Sequence, residues 1–313
     1  MLGSVYNLNE YAFLVGDPRR MRAYAEAIEK VVRPGSVVVD LGAGGGVLSV
    51  LAAKAGARRV YAIEAVPLGS VVADAARRSG VGDTITFIHG LSTAVTLPER
   101  ADVIVSDLHG VLPLFRRHLP SIVDARARWL RDGGALIPQR ESLHAALVAA
   151  PDLYRRHVGV FDDVPYGVNM EALREMAVNR WYLGSKPDVG LLGGAVTIAT
   201  LDYGTLVEPD LDVTFDLSTT RSATAHGFCV WFDSTLTEGV CLSNSPAHDE
   251  TVFGRAFFPF ERPIDFHQGE RARIRLRATL VESDYVWTWE TDGPGRPAVA
   301  RFRQSTFRGT AIR

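Results

Sequence analysis

Two acids and a run of glycines carry the chemistry in the first third of the chain. Asp40 ends the apolar run Val37, Val38, Val39 and is followed by Gly42, Gly44 and Gly46 at alternate positions. Glycine there lets the chain turn at positive φ and lets a ligand lie against bare backbone. The nicotinamide fingerprint G-x-G-x-x-G asks for a glycine at position 47, which is Val47. A phosphate loop is excluded because no G-K-[ST] follows. A second apolar run, Val60 to Ile63, ends in Glu64, 24 residues after Asp40. A carboxylate at the end of that second strand can accept both hydroxyls of a ribose. Residues 36–64 therefore describe a crevice for a nucleoside-bearing small molecule.

The elements that position these groups follow from periodicity. Residues 37–39 read as a short, fully buried strand, and Leu48, Leu51, Ala52 and Ala55 recur at helical spacing before Gly56. Asp17–Pro18 marks a helix start, with Met21, Tyr24, Ala25 and Ile28 as its core stripe. Further strands are expected at 84–88, 103–106 and 135–137, and a helix at 119–130. Strand and helix thus alternate to about residue 137, which implies a parallel sheet covered by helices. After Pro138 short alternating segments at 143–149, 195–200, 211–217, 227–233, 272–280 and 285–289 suggest an antiparallel barrel or sandwich. The expected fold is α/β: an N-terminal helical segment (1–33), a Rossmann-like domain (34–140), and a β-barrel-like domain (141–313).

Composition agrees with a soluble two-domain chain. The 313 residues are 47% hydrophobic and 22% charged, with a net charge of −2, which gives nucleic acid or an acidic membrane no purchase. Cys229 and Cys241 make neither a disulfide framework nor a zinc site. No apolar run approaches the ~18 residues of a membrane span. The N-terminus shows no secretory signal, so a cytoplasmic protein is expected.

The D-x-G-x-G-x-G spacing, with Glu64 beyond it, resembles class I S-adenosylmethionine (SAM) methyltransferases. Over residues 14–313 the chain is similar to protein arginine methyltransferases. Leu14–Val15–Gly16–Asp17–Pro18–Arg19–Arg20 with Tyr24 resembles the family's M-L-x-D-x-x-R-x-x-x-Y, and Ala52 to Ala57 with Val60 to Glu64 resembles A-A-K-A-G-A…V-Y-A-V-E. Ile88–His89–Gly90, Leu97–Pro98–Glu99 and Tyr166–Gly167–Val168–Asn169–Met170 match further blocks. The resemblance implies SAM as cofactor, with Arg20 on its carboxylate, a geometry suited to a guanidinium fork. It also implies Glu64 on the ribose, Asp40, Gly42 and Gly44 in the loop, and Ser92 and Thr93 where the family contacts adenine. An arm near 160–185, rich in large apolar groups, implies a homodimer.

The departures concern the methyl acceptor. The family's S-E-x-M-G…E loop holds the substrate guanidinium between two glutamates; here those positions are Asp107 and Arg116, and the family's T-H-W reads Thr251–Val252–Phe253. A cation at 116 would repel a guanidinium. The expectation is therefore methyl transfer to a small molecule or short peptide, at nitrogen or an electron-rich aromatic carbon such as indole, as in specialised metabolism. His109 would be the base, Asp107 would orient it, and Arg116 would bind a substrate carboxylate. Two alternatives stand beside it: arginine methylation through a rebuilt loop, and a SAM-binding pseudoenzyme.

Overall fold

The computed structural model describes residues 8–185, 188–248, 251–294 and 301–310; Tyr6, at the head of the N-terminal segment, lies outside them. Helices α1 (Leu8–Gly16) and α2 (Pro18–Val31) lead into a parallel sheet of β1 (Val37–Leu41), β2 (Arg59–Glu64), β3 (Ile85–His89), β4 (Ala101–Ser106) and β5 (Leu130–Ile137). Helices α3 (Val47–Lys54), α4 (Gly69–Arg78) and α5 (His118–Trp129) connect the strands. The strand order is β3-β2-β1-β4-β5. Every residue of β1 is buried, Asp40 included, as a strand with neighbours on both sides and helices on both faces requires. The order reverses between β1 and β4, so the loops that leave these strands lie side by side. A Cβ on Gly42 would collide with Leu108 of the other loop.

Asp17 explains where α2 begins. Its Oδ1 accepts from the backbone N of Arg19 (2.9 Å) and Arg20 (3.1 Å), and Pro18 fills the first helical position. Its Oδ2 accepts from the backbone N of Val252 at 2.8 Å, which ties the same cap to the second domain. The buried face of α2 is Ala23, Tyr24, Ala27 and Ile28, turned from the expected stripe so that Met21 and Ala25 are only half-buried. That rotation carries Arg20 inward, one turn ahead of Tyr24.

The second domain opens with β6 (Arg140–Ala149), then α6 (Pro151–His157), α7 (Glu171–Val178), β7 (Tyr182–Gly184), β8 (Gly190–Leu191) and β9 (Val196–Asp202). The remaining strands are β10 (Leu211–Ser218), β11 (Ala223–Thr237), β12 (Val240–Ser243), β13 (Arg255–Phe266), β14 (Arg271–Val281), β15 (Asp284–Asp292) and β16 (Arg301–Ser305). One antiparallel sheet runs β7-β13-β11-β6-β8, with β12 beside β11 and β9 beside β6; a second runs β10-β14-β15-β16. Phe228, Phe258, Trp287 and Trp289 fill the core of this domain with ring pairs 5.0–5.4 Å apart, within the range for favourable aromatic contact. One continuous apolar core joins Val38 of the parallel sheet to Trp289, so the two domains form a single body around the site. The stretch around α7 leaves Val160, Tyr166 and Val168 exposed. Among the described residues no helix is long and apolar enough to cross a membrane.

Candidate active site

The crevice after β1 is shaped for close backbone approach. Gly42, Gly44 and Gly46 all take positive φ, where a side chain would be strained. Asp40 lies buried beneath the loop and accepts from Ser49 Oγ at 2.6 Å, so it holds the loop's shape from below instead of offering an oxygen to the crevice. Burial raises its carboxyl from 3.8 to about 6, against the opposing pull of Ser49. Glu64 is half-buried at the end of β2, where Oε2 accepts from Gly44 N (2.9 Å) and Oε1 from Val66 N (3.0 Å). Each oxygen keeps a further lone pair for a hydroxyl. Ser92 is half-buried and Thr93 exposed, in the turn after β3.

Tyr11 was not foreseen as part of the crevice. Its hydroxyl accepts from Gly45 N at 2.8 Å, and a Cβ on Gly44 or Gly45 would run into its ring. Burial raises its phenol pKa, so the group stays neutral over the loop. Its only signal in sequence was an aromatic residue on the helix ahead of Arg20.

The loop after β4 enters a sealed polar cluster. Arg20 Nε donates to Asp107 Oδ2, and Arg20 Nη1 donates to the Leu14 carbonyl at 3.0 Å. Burial works against the guanidinium charge, but Asp107 more than compensates and raises its pKa. His109 is fully enclosed, its ring 4.8 Å from Phe232 and 4.7 Å from Phe253. Its Nδ1 faces the Gly110 carbonyl at 3.0 Å, and its Nε2 lies 3.3 Å from Asp107 Oδ1 and 3.6 Å from Glu141 Oε1. These last three atoms are buried without a hydrogen-bond partner. Glu141 Oε2 accepts from the Tyr203 hydroxyl, which is 3.0 Å from His118 Nε2. Since Tyr203 donates to Glu141, His118 must donate to Tyr203, which assigns its Nε2–H tautomer. Burial, helped by His109, holds the His118 pKa well below its ordinary value and keeps it neutral.

Two expectations change here. Arg116 does not enter the cluster: it is exposed, its guanidinium 5.0 Å from the Phe115 ring, at a backbone φ of 46°. The reason is local. Leu112 and Leu114 turn into the core and His118 N closes a turn onto the Phe115 carbonyl, which leaves position 116 at the apex facing water. His109, expected to be the base with Asp107 orienting it, is enclosed between aromatic rings and carboxylates, with Asp107 Oδ1 3.3 Å from its Nε2. Glu141, Tyr203 and His118 were missed. Glu141 could have been found by parity, because it shares one face of β6 with Leu143, Ala145 and Leu147, all fully enclosed.

Two family models match the chain. The arginine methyltransferase oligomerization subdomain covers residues 139–290, and the ribosomal protein L11 methyltransferase (PrmA) model covers residues 12–147. Protein arginine N-methyltransferase 2 of Homo sapiens is 31% identical over 306 residues, 91% of this chain and 69% of that protein. The chain belongs to the protein arginine N-methyltransferase family. It spans about half (52%) of the length of another relative, the probable protein arginine N-methyltransferase 6 of Arabidopsis thaliana, with 31% identity over 231 residues. The fold is that of the Trypanosoma brucei PRMT1 enzyme-prozyme heterotetrameric complex with AdoHcy (TM-score 0.88, 21% identity, 96% of this chain and 98% of that one). It is also that of Arabidopsis thaliana protein arginine methyltransferase 10 (TM-score 0.82, 22% identity, 96% and 97%). As in other class I SAM methyltransferases, the glycine cradle, the half-buried Glu64 carboxylate and the inward-facing Arg20 fit an adenosyl amino-acid cofactor.

Proposed function

We propose that this family member transfers a methyl group from SAM to a guanidinium nitrogen of arginine in a protein or peptide. The observation that carries the reading is the buried Asp107 carboxylate, set in the loop beside the glycine cradle, with Arg116 turned away to solvent. No cation at position 116 opposes a cationic acceptor, which removes the ground for preferring a neutral or anionic small molecule. When bound, SAM supplies a methyl group already activated on a sulfonium.

The chain's own residues position, exclude water and manage charge. Arg20 would hold the SAM carboxylate, Glu64 the ribose hydroxyls, and the turn at Ser92 and Thr93 the adenine edge. Tyr11 would close over the loop. Asp107 would hold the acceptor's positive charge and receive the proton that the attacking nitrogen sheds. Phe232 and Phe253 keep the pocket dry, which strengthens each of these interactions. Two copies would pair through the exposed arm around Tyr166, in keeping with the oligomerization subdomain that this half of the chain matches. The test is mass spectrometry of arginine-rich peptides incubated with SAM and the protein. A gain of one methyl mass on arginine is expected. Tight SAM binding with no transfer to any arginine peptide would overturn the reading.

A further inference from the structure

The carboxylates of the sealed cluster outnumber its fixed cations. Asp107 and Glu141 contribute one acid each, against the single guanidinium of Arg20, while Tyr203 and His118 are neutral. Of the four carboxylate oxygens, Arg20 reaches Asp107 Oδ2 and Tyr203 reaches Glu141 Oε2. The remaining oxygens, Asp107 Oδ1 and Glu141 Oε1, are buried, lack a hydrogen bond and converge on one point, where His109 Nε2 now stands. Side-chain exposure is 3% for Asp107 and 0% for both Glu141 and His109. A buried carboxylate oxygen left without a hydrogen bond is costly, so two such oxygens facing one point suit a cation placed between them. Should Arg20 turn to the SAM carboxylate, both acids would need that cation.

A way in is visible from the outside. A cleft of about 440 Å³ lies between the N-terminal helices and the second domain, lined by Ala12, Phe13, Gly16, Asp17, Arg19 and Val252. Phe253, the next residue after Val252, packs directly on the His109 ring. The wall of the cleft at Val252 thus continues in the chain into the residue that covers His109.

We propose that Glu141, carried in by the first strand of the second domain, is the second acid of the acceptor pocket. Together with Asp107 it clamps the acceptor's guanidinium from two sides. His109 fills the clamp until the acceptor arrives, and its ring then turns aside. This deepens the arginine reading above and rests on it for the identity of the cation. The consequence is a pocket completed across the domain boundary, in which position 116 plays no part.

The experiment uses the full chain and two matched peptides that differ only in one central residue, arginine or its neutral isostere citrulline. Binding is measured by calorimetry with S-adenosylhomocysteine present, and turnover separately with SAM, for wild type, Glu141→Gln, Glu141→Asp and Glu141→Gln with Arg116→Glu. Wild type is expected to prefer the arginine peptide, and Glu141→Gln to weaken that peptide about ten- to a hundredfold while the citrulline peptide hardly changes. Glu141→Asp, which keeps the charge, should fall between and covers the case in which the Gln variant does not fold. Adding Arg116→Glu should restore nothing. The clamp is overturned if wild type shows no preference for arginine over citrulline. It is equally overturned if Glu141→Gln keeps that preference, or if Arg116→Glu rescues it. Binding that depends on Glu141, without methyl transfer to arginine, would instead leave the clamp standing and remove the proposed reaction.

Discussion

The loop after β1 and the loop after β4 leave adjacent strands of one sheet, yet they meet their charges in opposite ways. The first keeps Glu64 half-buried, with both oxygens tethered to backbone N–H groups and still able to accept from a visitor. Its acid, its glycines and Glu64 lie within 25 residues of one another, with Tyr11 laid over them from α1. The second gathers Arg20, Asp107, His109, Glu141, Tyr203 and Phe253 from both domains and shuts them from water. A site assembled from nearby chain can stay open because the loop is stable without its ligand. A site assembled from distant chain must satisfy its own charges, and here it does so incompletely. Donor recognition and acceptor recognition can therefore change independently, except where one residue serves both.

Arg20, paired with Asp107 and proposed to hold the donor, is that residue, and its loss should do the most damage. Arg20→Ala leaves Asp107 buried without its ion-pair partner, at a cost of about 3–5 kcal/mol in stability, and weakens donor binding as well. Urea denaturation and calorimetry read the two effects separately. A variant that loses only one of them would show that the halves are uncoupled.

The next test touches the crevice alone. Asp40 is raised from 3.8 to about 6 by burial, so the folded state prefers it protonated. Its favourable contribution is complete below about pH 4 and is lost as pH rises through 6; at ~1.4 kcal/mol for each tenfold, the difference is about 3 kcal/mol. Asp40→Asn cannot ionise. Its stability relative to wild type should therefore climb by about that amount between pH 4 and 7.5 in urea titrations. A difference that stays flat over this range would mean that Asp40 is not strained in the fold.

Glu64→Ala sharpens the comparison from the donor side. Losing a charged hydrogen bond to the ribose should cost about 1.5–3 kcal/mol, roughly tenfold or more in SAM affinity, while the binding of an arginine peptide changes little. Unchanged SAM affinity by calorimetry would take Glu64 out of the ribose role. Smallest of all is Arg116→Glu, an exposed substitution expected to move stability by less than about 0.5 kcal/mol and to leave acceptor kinetics alone. A marked change in the acceptor's KM would return position 116 to the site.

Legibility in the sequence divides along the same line. The parallel sheet, the glycine turn and the antiparallel second half could all be read from local patterns, since strand, turn and helix each leave a short-range signature. Asp107 and Arg20 were legible only through the resemblance of the motifs around them to the family's. Glu141 was not, because nothing within ten residues marks it as catalytic; only its parity with Leu143 and Leu147 betrays an inward-facing acid. Tyr203, His118 and Phe253 acquire meaning only when strands far apart in the chain are brought together. Counting along the acceptor loop put Arg116 in the pocket, but a count cannot see that Leu112 and Leu114 claim the inward positions and turn the chain outward at 116.

Asp17 deserves a mechanical description. One oxygen grips the first turn of α2 and the other grips Val252, so a single carboxylate works as a pin through two plates. Any displacement of α2 that swings Arg20 toward or away from the crevice must either drag Val252, and with it the neighbouring Phe253 that roofs His109, or shear the pin. One carboxylate thus joins the helix that carries Arg20 to the segment that covers His109, so a shift of either is transmitted to the other.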